Sequence, residues 1–373
     1  MILPAEGISM EQPDFVQLLT PDGERIARSA GQDGVEYSVE LSDEELLNLY
    51  RDMVVARRLD AEGVALQRQG EMALWASLAG QEAAQVGSGR ALRPQDMMFP
   101  SYREHGVLHA RGLDPLLPFS LFRGLDQGAW DPAVHRTQMY TLVVGAQTLH
   151  ATGYAMGITL DGKLGDDGEA AIVYFGDGAT SQGDVNEAFV WAGVHQAPVV
   201  FFCQNNQYAI SVPPARQSRA PLYRRAAGFG FPGVRVDGND VLASYAVTRY
   251  ALDRARRGEG PMLIEAYTYR MGAHTTSDDP TRYRASAEER AWAARDPITR
   301  LAAFLRRAGI ADDDLFLKIE DEVQRLAVEV RERVLHLPAP VPSAIFDHVY
   351  AHGSPLVEAQ RARHEAYTTS FEG

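Results

Sequence analysis

The stretch AIVYFGDGATSQGDVNEAFVWAGVHQAPVVFFCQNNQYAI, residues 171–210, decides the fold. Two apolar runs, 170–175 and 199–203, have the length and β-branched content of strands buried on both faces. Between them, over 184–194, Val185, Ala188, Phe189 and Ala192 recur at helical spacing. A strand, a helix and a strand in this order make a right-handed parallel crossover.

The same alternation extends in both directions. Upstream, Ser42 and Glu45 have the spacing of a capping box ahead of LLNLYRDMVVARRLD, whose Leu46, Leu47, Tyr50, Met53 and Val54 form a core stripe. Residues 80–92 and 144–160 predict helices rich in small residues, suited to close packing. Downstream, 233–238 and 261–267 predict strands around a helix over 241–257. The fold class expected is α/β, a doubly wound, mainly parallel sheet flanked by helices, with a helical C-terminal extension. Residues 1–38 are expected to be a loosely held arm, 39–335 the main domain and 336–373 a tail. Past Gly272, AHTTSDDPTRYRAS has no periodicity and predicts a long polar loop of the kind that carries function.

Composition narrows the function classes. Lys and Arg number 36 against 50 Asp and Glu, a net charge of −14, which argues against unaided nucleic-acid binding. No apolar run reaches membrane-spanning length, and the N-terminus predicts no signal peptide. The single Cys203 excludes an internal disulfide and reads as a core thiol in a reducing, cytoplasmic setting.

The chemistry gathers at predicted strand ends, where ligands of such sheets bind. Gly176-Asp177-Gly178 follows one strand, and Asn205-Asn206 follows the next. The glycines permit a tight turn and close approach of an anion to the backbone, and the helix opening near Gly183 favours that anion. Asp177, the Asn206 amide and a carbonyl near Tyr208 offer hard oxygens to Mg2+, which shares its octahedral shell with phosphates. Alone, GDG is an ordinary turn; both ends of one crossover together point to a metal-diphosphate site. Other clusters are less decisive by residue type. Tyr102-Arg103-Glu104-His105 suits a salt-bridged surface loop or a phosphate site. His274 suits structure or proton transfer. Arg219 reads equally as exposed or as a phosphate contact, and Trp75 as core or as lining a pocket.

The pair GDG…NN, with the continuation SQGD…NEAF…APVVFFCQNNQYAISVP, resembles thiamine-diphosphate enzymes. It is most similar to the α subunits of 2-oxo acid dehydrogenases, the decarboxylating component of the pyruvate and branched-chain complexes. The likeness runs from about residue 41 to residue 335. It implies thiamine diphosphate and Mg2+ as cofactors, with metal ligands Asp177, Asn206 and the Tyr208 carbonyl. It implies diphosphate contacts from Tyr102, Arg103, Gly178 and Ala179, and backbone contacts to the aminopyrimidine at Leu142 and Val144; Arg219 stays open between a further phosphate contact and an exposed arginine. His105 is then expected near the oxo acid, and His274 near the cofactor, serving acyl transfer. Thr275 falls where some members carry a phosphorylated serine.

No match for the catalytic carboxylate beside the pyrimidine ring is found, and 373 residues are few for both cofactor-binding halves. The resemblance therefore implies a β subunit sharing the site, two α with two β, and lipoyl domains of a dihydrolipoyl acyltransferase as acyl acceptors. Pyruvate is the leading substrate expected, a branched-chain 2-oxo acid (2-oxoisovalerate) the alternative. Acetoin dehydrogenase and a non-catalytic Mg-diphosphate binding subunit are the remaining readings.

Overall fold

A computed structural model describes residues 14–125, 130–339 and 341–371. Strands β1 (Met97–Phe99), β2 (Ala171–Gly176), β3 (Val199–Asn205), β4 (Gly233–Asp237) and β5 (Met262–Tyr267) form one sheet in the order β1-β2-β3-β5-β4. Every pairing in it is parallel. The β2 to β3 connection is the crossover the sequence predicts. Its register sets Gly176 against Gln204, so the residues just beyond both strands share one end of the sheet.

Helices cover both faces. Those used below are α1 (Asp43–Arg68), α2 (Glu82–Ala91), α3 (Ala146–Leu160), α4 (Gly183–His195), α5 (Val241–Arg256), α6 (Pro297–Arg307) and α7 (Asp313–Leu335). The strands send alternate side chains to the two sides. Ile172, Tyr174, Val200, Phe202 and Ile264 join the core built with α1, α2, α5 and α7. Val173, Phe175, Phe201, Cys203 and Leu263 join the core built with α3 and α4. Each such side chain, fully buried, contributes about 1.5–3 kcal/mol by leaving water.

Local rules explain the helix ends. Ser42 caps α1 as a capping box: its backbone N–H donates to Glu45 Oε2 (2.8 Å), and Glu45 N–H donates back to Ser42 Oγ (3.3 Å). The small residues of α2 serve close approach. A Cβ at Gly87 would stand 2.7 Å from the Val241 carbonyl at the start of α5.

One expectation shifts. Residues 14–38 are anchored, not loose. Val16 bridges to Val236 beside β4, and the Leu18 and Leu19 N–H groups both donate to Asp240 Oδ2 at 2.6 Å. Residues 1–13, the rest of that arm, lie outside the described residues. The long loop after Gly272 is likewise tied down. Met271 and Thr276 N–H groups donate to the Ala79 and Trp75 carbonyls (2.9 and 3.0 Å). Beyond α7, the tail carries a helix, Pro355–Thr369, with Val357 its buried residue. No helix among the described residues is long and apolar enough to cross a membrane.

Candidate active site

The carboxyl end of the sheet gathers most of the expected residues. Asp177 opens a short 3-10 turn (Asp177–Ser181) directly after β2. The first N–H groups of such a turn have no carbonyl partner within it and are available to an anion. Gly178 is required there: a Cβ would stand 2.6 Å from the Ala209 Cβ. The Asp177 carboxyl is buried, and burial pushes it up to about 6; a 2.9 Å hydrogen bond from Gln217 Nε2 opposes the rise.

The two asparagines after β3 divide their tasks. Asn205 donates to Glu265 Oε1 (2.7 Å) on the sheet's far side and belongs to the scaffold. Asn206 donates through Nδ2 to Gln81 Oε1 (3.0 Å), which fixes the amide flip; Oδ1 accepts from the Tyr208 N–H (3.4 Å) and keeps a second lone pair. The Tyr208 carbonyl accepts from Arg270 Nη1 at 2.8 Å, which leaves one lone pair on that oxygen. Among the described residues no three His, Cys, Asp or Glu side chains cluster as a metal centre. The donor set is one carboxylate, one amide and one carbonyl. Such hard oxygens suit Mg2+ with phosphate oxygens completing its shell.

Opposite these oxygens stand two buried guanidiniums, Arg103 and Arg270. Arg103 donates to the carbonyls of Ser77 (2.5 Å) and His274 (2.8 Å). Arg270 donates to the carbonyls of Tyr208 and Ile210 (both 2.8 Å), and its Nε has no partner. Among the described residues neither forms an ion pair with a carboxylate, whereas the buried Arg256 and Arg300 do. Two adjacent buried cations that no carboxylate pairs with directly are costly unless an anion joins them. Burial and the nearby Arg103 both lower the Arg270 value. Arg270 escaped the sequence reading because its role depends on which carboxylates it does not meet.

His274 lies between the two guanidiniums, with Nδ1 3.3 Å from Arg103 Nη2 and 3.4 Å from Arg270 Nη1. Both neighbours are donors only, so Nδ1 is an acceptor and Nε2 carries the proton. Burial, Arg103 and Arg270 together lower His274 to about 3, so the ring is neutral. Its backbone N–H donates to Asp278 Oδ2 (2.8 Å), which also accepts from the Tyr283 hydroxyl (2.5 Å). Thr275 is half-buried in this loop, and Tyr102 meets the His274 ring edge to face with centroids 6.3 Å apart.

Other expected residues fall elsewhere. His105 does not open onto the site: the ring is buried, with Nε2 3.0 Å from the Ala76 carbonyl and Nδ1 2.7 Å from the Tyr140 hydroxyl. No nitrogen is left for a substrate, because the short helix His105–Ala110 turns the side chain into the core. Trp75 is a core residue, stacked on His105 and Phe119 with its indole N–H on Asp60 (2.8 Å). Arg219 is exposed on the loop before Leu222. Leu142 and Val144 sit just before α3 with side chains 65% and 42% exposed, an apolar edge without cover in the single chain. Gln217 is the contact to Asp177 that the sequence reading missed; only proximity in space reveals it.

Comparison with known proteins identifies relatives of the chain. The family model described as "Dehydrogenase E1 component" matches residues 50–342. A 3-methyl-2-oxobutanoate dehydrogenase subunit alpha of Mycobacterium tuberculosis is 45% identical over 347 residues, covering 93% of this chain and 92% of its own. Pyruvate dehydrogenase E1 component subunits alpha are also similar. That of Bacillus cereus is 40% identical over 84% of this chain and 82% of its own. That of Acholeplasma laidlawii is 38% identical over 88% of this chain and 94% of its own.

Proposed function

The chain belongs to the dehydrogenase E1 component family, and from that premise we propose that it is the α subunit of a 2-oxo acid dehydrogenase, active together with a β subunit. The observation that carries the reading is the pair of buried, unpaired guanidiniums opposite a buried acid and amide on neighbouring strand tips. That arrangement suits a diphosphate bridged to Mg2+.

In this reading Asp177, Asn206 and the Tyr208 carbonyl hold Mg2+. Arg103 and Arg270 neutralise the diphosphate, with Tyr102 and the N–H groups of Gly178 and Ala179 around it. Arg219 joins them if its loop folds inward on binding. Backbone groups at Leu142 and Val144 meet the aminopyrimidine. When bound, thiamine diphosphate supplies the electron sink that lets a 2-oxo acid lose carbon dioxide. His274 offers Nε2–H as a fixed donor to the acyl group as it passes to a lipoyl arm of the acyltransferase. The missing carboxylate is assigned to the β subunit, in an assembly of two α and two β. The exposed apolar residues at 142–144 provide a surface of the right character for it. A cytoplasmic setting is part of the same proposal, supported by the one free, buried thiol, Cys203.

Relatives of both substrate classes are similar to this chain. The 45% identity to the branched-chain subunit, against 38–40% for the pyruvate subunits, favours 3-methyl-2-oxobutanoate as substrate beside pyruvate. The two differ only in the bulk of an apolar group, which pockets discriminate by roughly 10–200-fold per methylene. The test is reconstitution with a β subunit and dye-coupled decarboxylation of both acids. Asp177→Ala is expected to abolish turnover and calorimetric binding of Mg-thiamine diphosphate while the variant still folds and melts cooperatively. Full activity in that variant would falsify the metal assignment, and turnover by the isolated chain would refute the shared site.

A further inference from the structure

We infer that Tyr140, oriented by His105, sets which acyl groups the site accepts, and that His105 is a positioning residue, not a carrier of protons. The inference rests on the 2-oxo acid reading above and names a wall of that same site.

The backbone brings Tyr140 to the right end of the sheet. Residues 136–141 run beside β1 as a partial extra strand. Thr137 bridges Met98 in parallel, Gln138 N–H donates to the Met98 carbonyl (2.7 Å), and Thr141 N–H donates to the Ser101 carbonyl (3.0 Å). Parallel travel along β1 ends at its carboxyl end, beside Tyr102 and Arg103. The side chain then enters an aromatic stack. Its ring centroid lies 5.6 Å from His105, 5.6 Å from Trp130 and 6.2 Å from Phe122. Behind it, His105 stacks on Trp75 at 4.2 Å, and Trp75 on Phe119 at 4.7 Å. Trp75, His105, Phe119, Phe122 and Trp130 are buried; Tyr140 is the half-buried ring at the end of the stack.

Hydrogen-bond polarity fixes what each ring can do. The Ala76 carbonyl only accepts, so His105 Nε2 carries the proton and donates to it. Nδ1 is then a bare acceptor, and the Tyr140 hydroxyl must donate to it. A phenol that gives its proton to an imidazole has none for a substrate oxygen. Tyr140 therefore presents a ring edge, an apolar wall held at one angle, to whatever lies beside Arg103. Burial acts in the same direction on both partners, holding His105 down to about 3 and Tyr140 well above the ordinary phenol value. Neither group changes charge near neutral pH, so the contact is permanent across the working range.

A fixed wall limits the branch that a 2-oxo acid can carry; a wall freed to rotate admits more. The test uses the reconstituted α–β holoenzyme on pyruvate, 2-oxobutanoate and 3-methyl-2-oxobutanoate, with melting curves for every variant. Tyr140→Phe keeps the ring and loses the tether. It is expected to raise the kcat/KM ratio of the branched acid over pyruvate by about 5-fold. His105→Ala is expected to shift the ratio the same way, and combining it with Tyr140→Phe to add no more than about 2-fold. His105→Gln, which keeps one donor and one acceptor, is expected to restore the wild-type ratio and to leave the pH profile in place. Loss of activity by about 100-fold in a His105→Gln variant that melts normally would show proton transfer by the histidine and overturn the inference. So would an unchanged ratio in Tyr140→Phe. A wild-type holoenzyme inactive on all three acids would overturn the functional reading together with this one. An active wild type with unmoved ratios overturns this one alone.

Discussion

His105 and His274 are both held neutral, but by opposite surroundings, and the contrast separates the two regions of the site. His105 sits among aromatic rings with both nitrogens spent on neighbours, Ala76 and Tyr140. His274 sits between two guanidiniums with one nitrogen turned toward them and the other carrying a proton for the site. The first environment makes a histidine into a spacer; the second makes it a donor of fixed direction. What decides a histidine's task is the destination of each nitrogen, and the residue type alone does not tell the two apart.

Several substitutions would break or sharpen this division, the severest at the charged strand tips. Asp177→Ala is expected to eliminate cofactor binding and turnover, as set out above. His274→Asn keeps an acceptor where Nδ1 lies and removes Nε2–H. Acyl transfer to a lipoyl domain should fall by about 100-fold while dye-coupled decarboxylation falls less. Equal loss in both assays would place His274 with the decarboxylation machinery and blur the contrast. Arg270→Lys keeps the charge and loses the fork. Affinity for Mg-thiamine diphosphate should weaken by about 10-fold in calorimetry, and an unchanged affinity would remove Arg270 from the anion site.

The smallest effect is on stability. Asp177 is raised from an ordinary 3.8 to about 6 by burial, so the folded chain holds a proton that the unfolded chain releases between those values. Stability of the cofactor-free protein therefore declines as pH rises through that window. Asp177→Asn removes the decline and should stabilise the cofactor-free protein at pH 7 by roughly 1–3 kcal/mol, with little difference at pH 4. Urea melts at the two pH values measure it; a gap that does not widen with pH would mean the carboxyl is well solvated. His105 has the opposite sign. Its lowered value favours the fold above 6.5 and costs about 1.4 kcal/mol for each unit below it, so acid unfolding should steepen there.

The sheet and the residues at its carboxyl tips were legible because the information is local. GDG and NN fall within one crossover, and Ser42 and Glu45 are three residues apart. Membership of the dehydrogenase E1 component family follows from the same motifs. What escaped is non-local. The edge strand Met97–Phe99 is too short to show a period of two. Arg270 matters because, among the described residues, no carboxylate pairs with it directly; Asp278 reaches it only through the Tyr283 hydroxyl. Gln217 reaches Asp177 across 40 residues of sequence, and His105 finds its two partners 29 and 35 residues away. The fixed arm misled for the same reason: Leu18 and Leu19 are held by Asp240, more than 200 positions on.

That arm has a further consequence. Arg300, near the start of α6, donates to the Thr20 carbonyl (3.0 Å) and pairs with Asp237 (2.8 Å). Thr20 is thus fastened by a residue made 280 positions later. At synthesis rates of about 5–20 residues per second, residues 14–20 stay undocked for roughly 15 seconds or longer. During that interval the segment is an undocked, partly apolar stretch, so chaperone capture or early proteolysis would act there first.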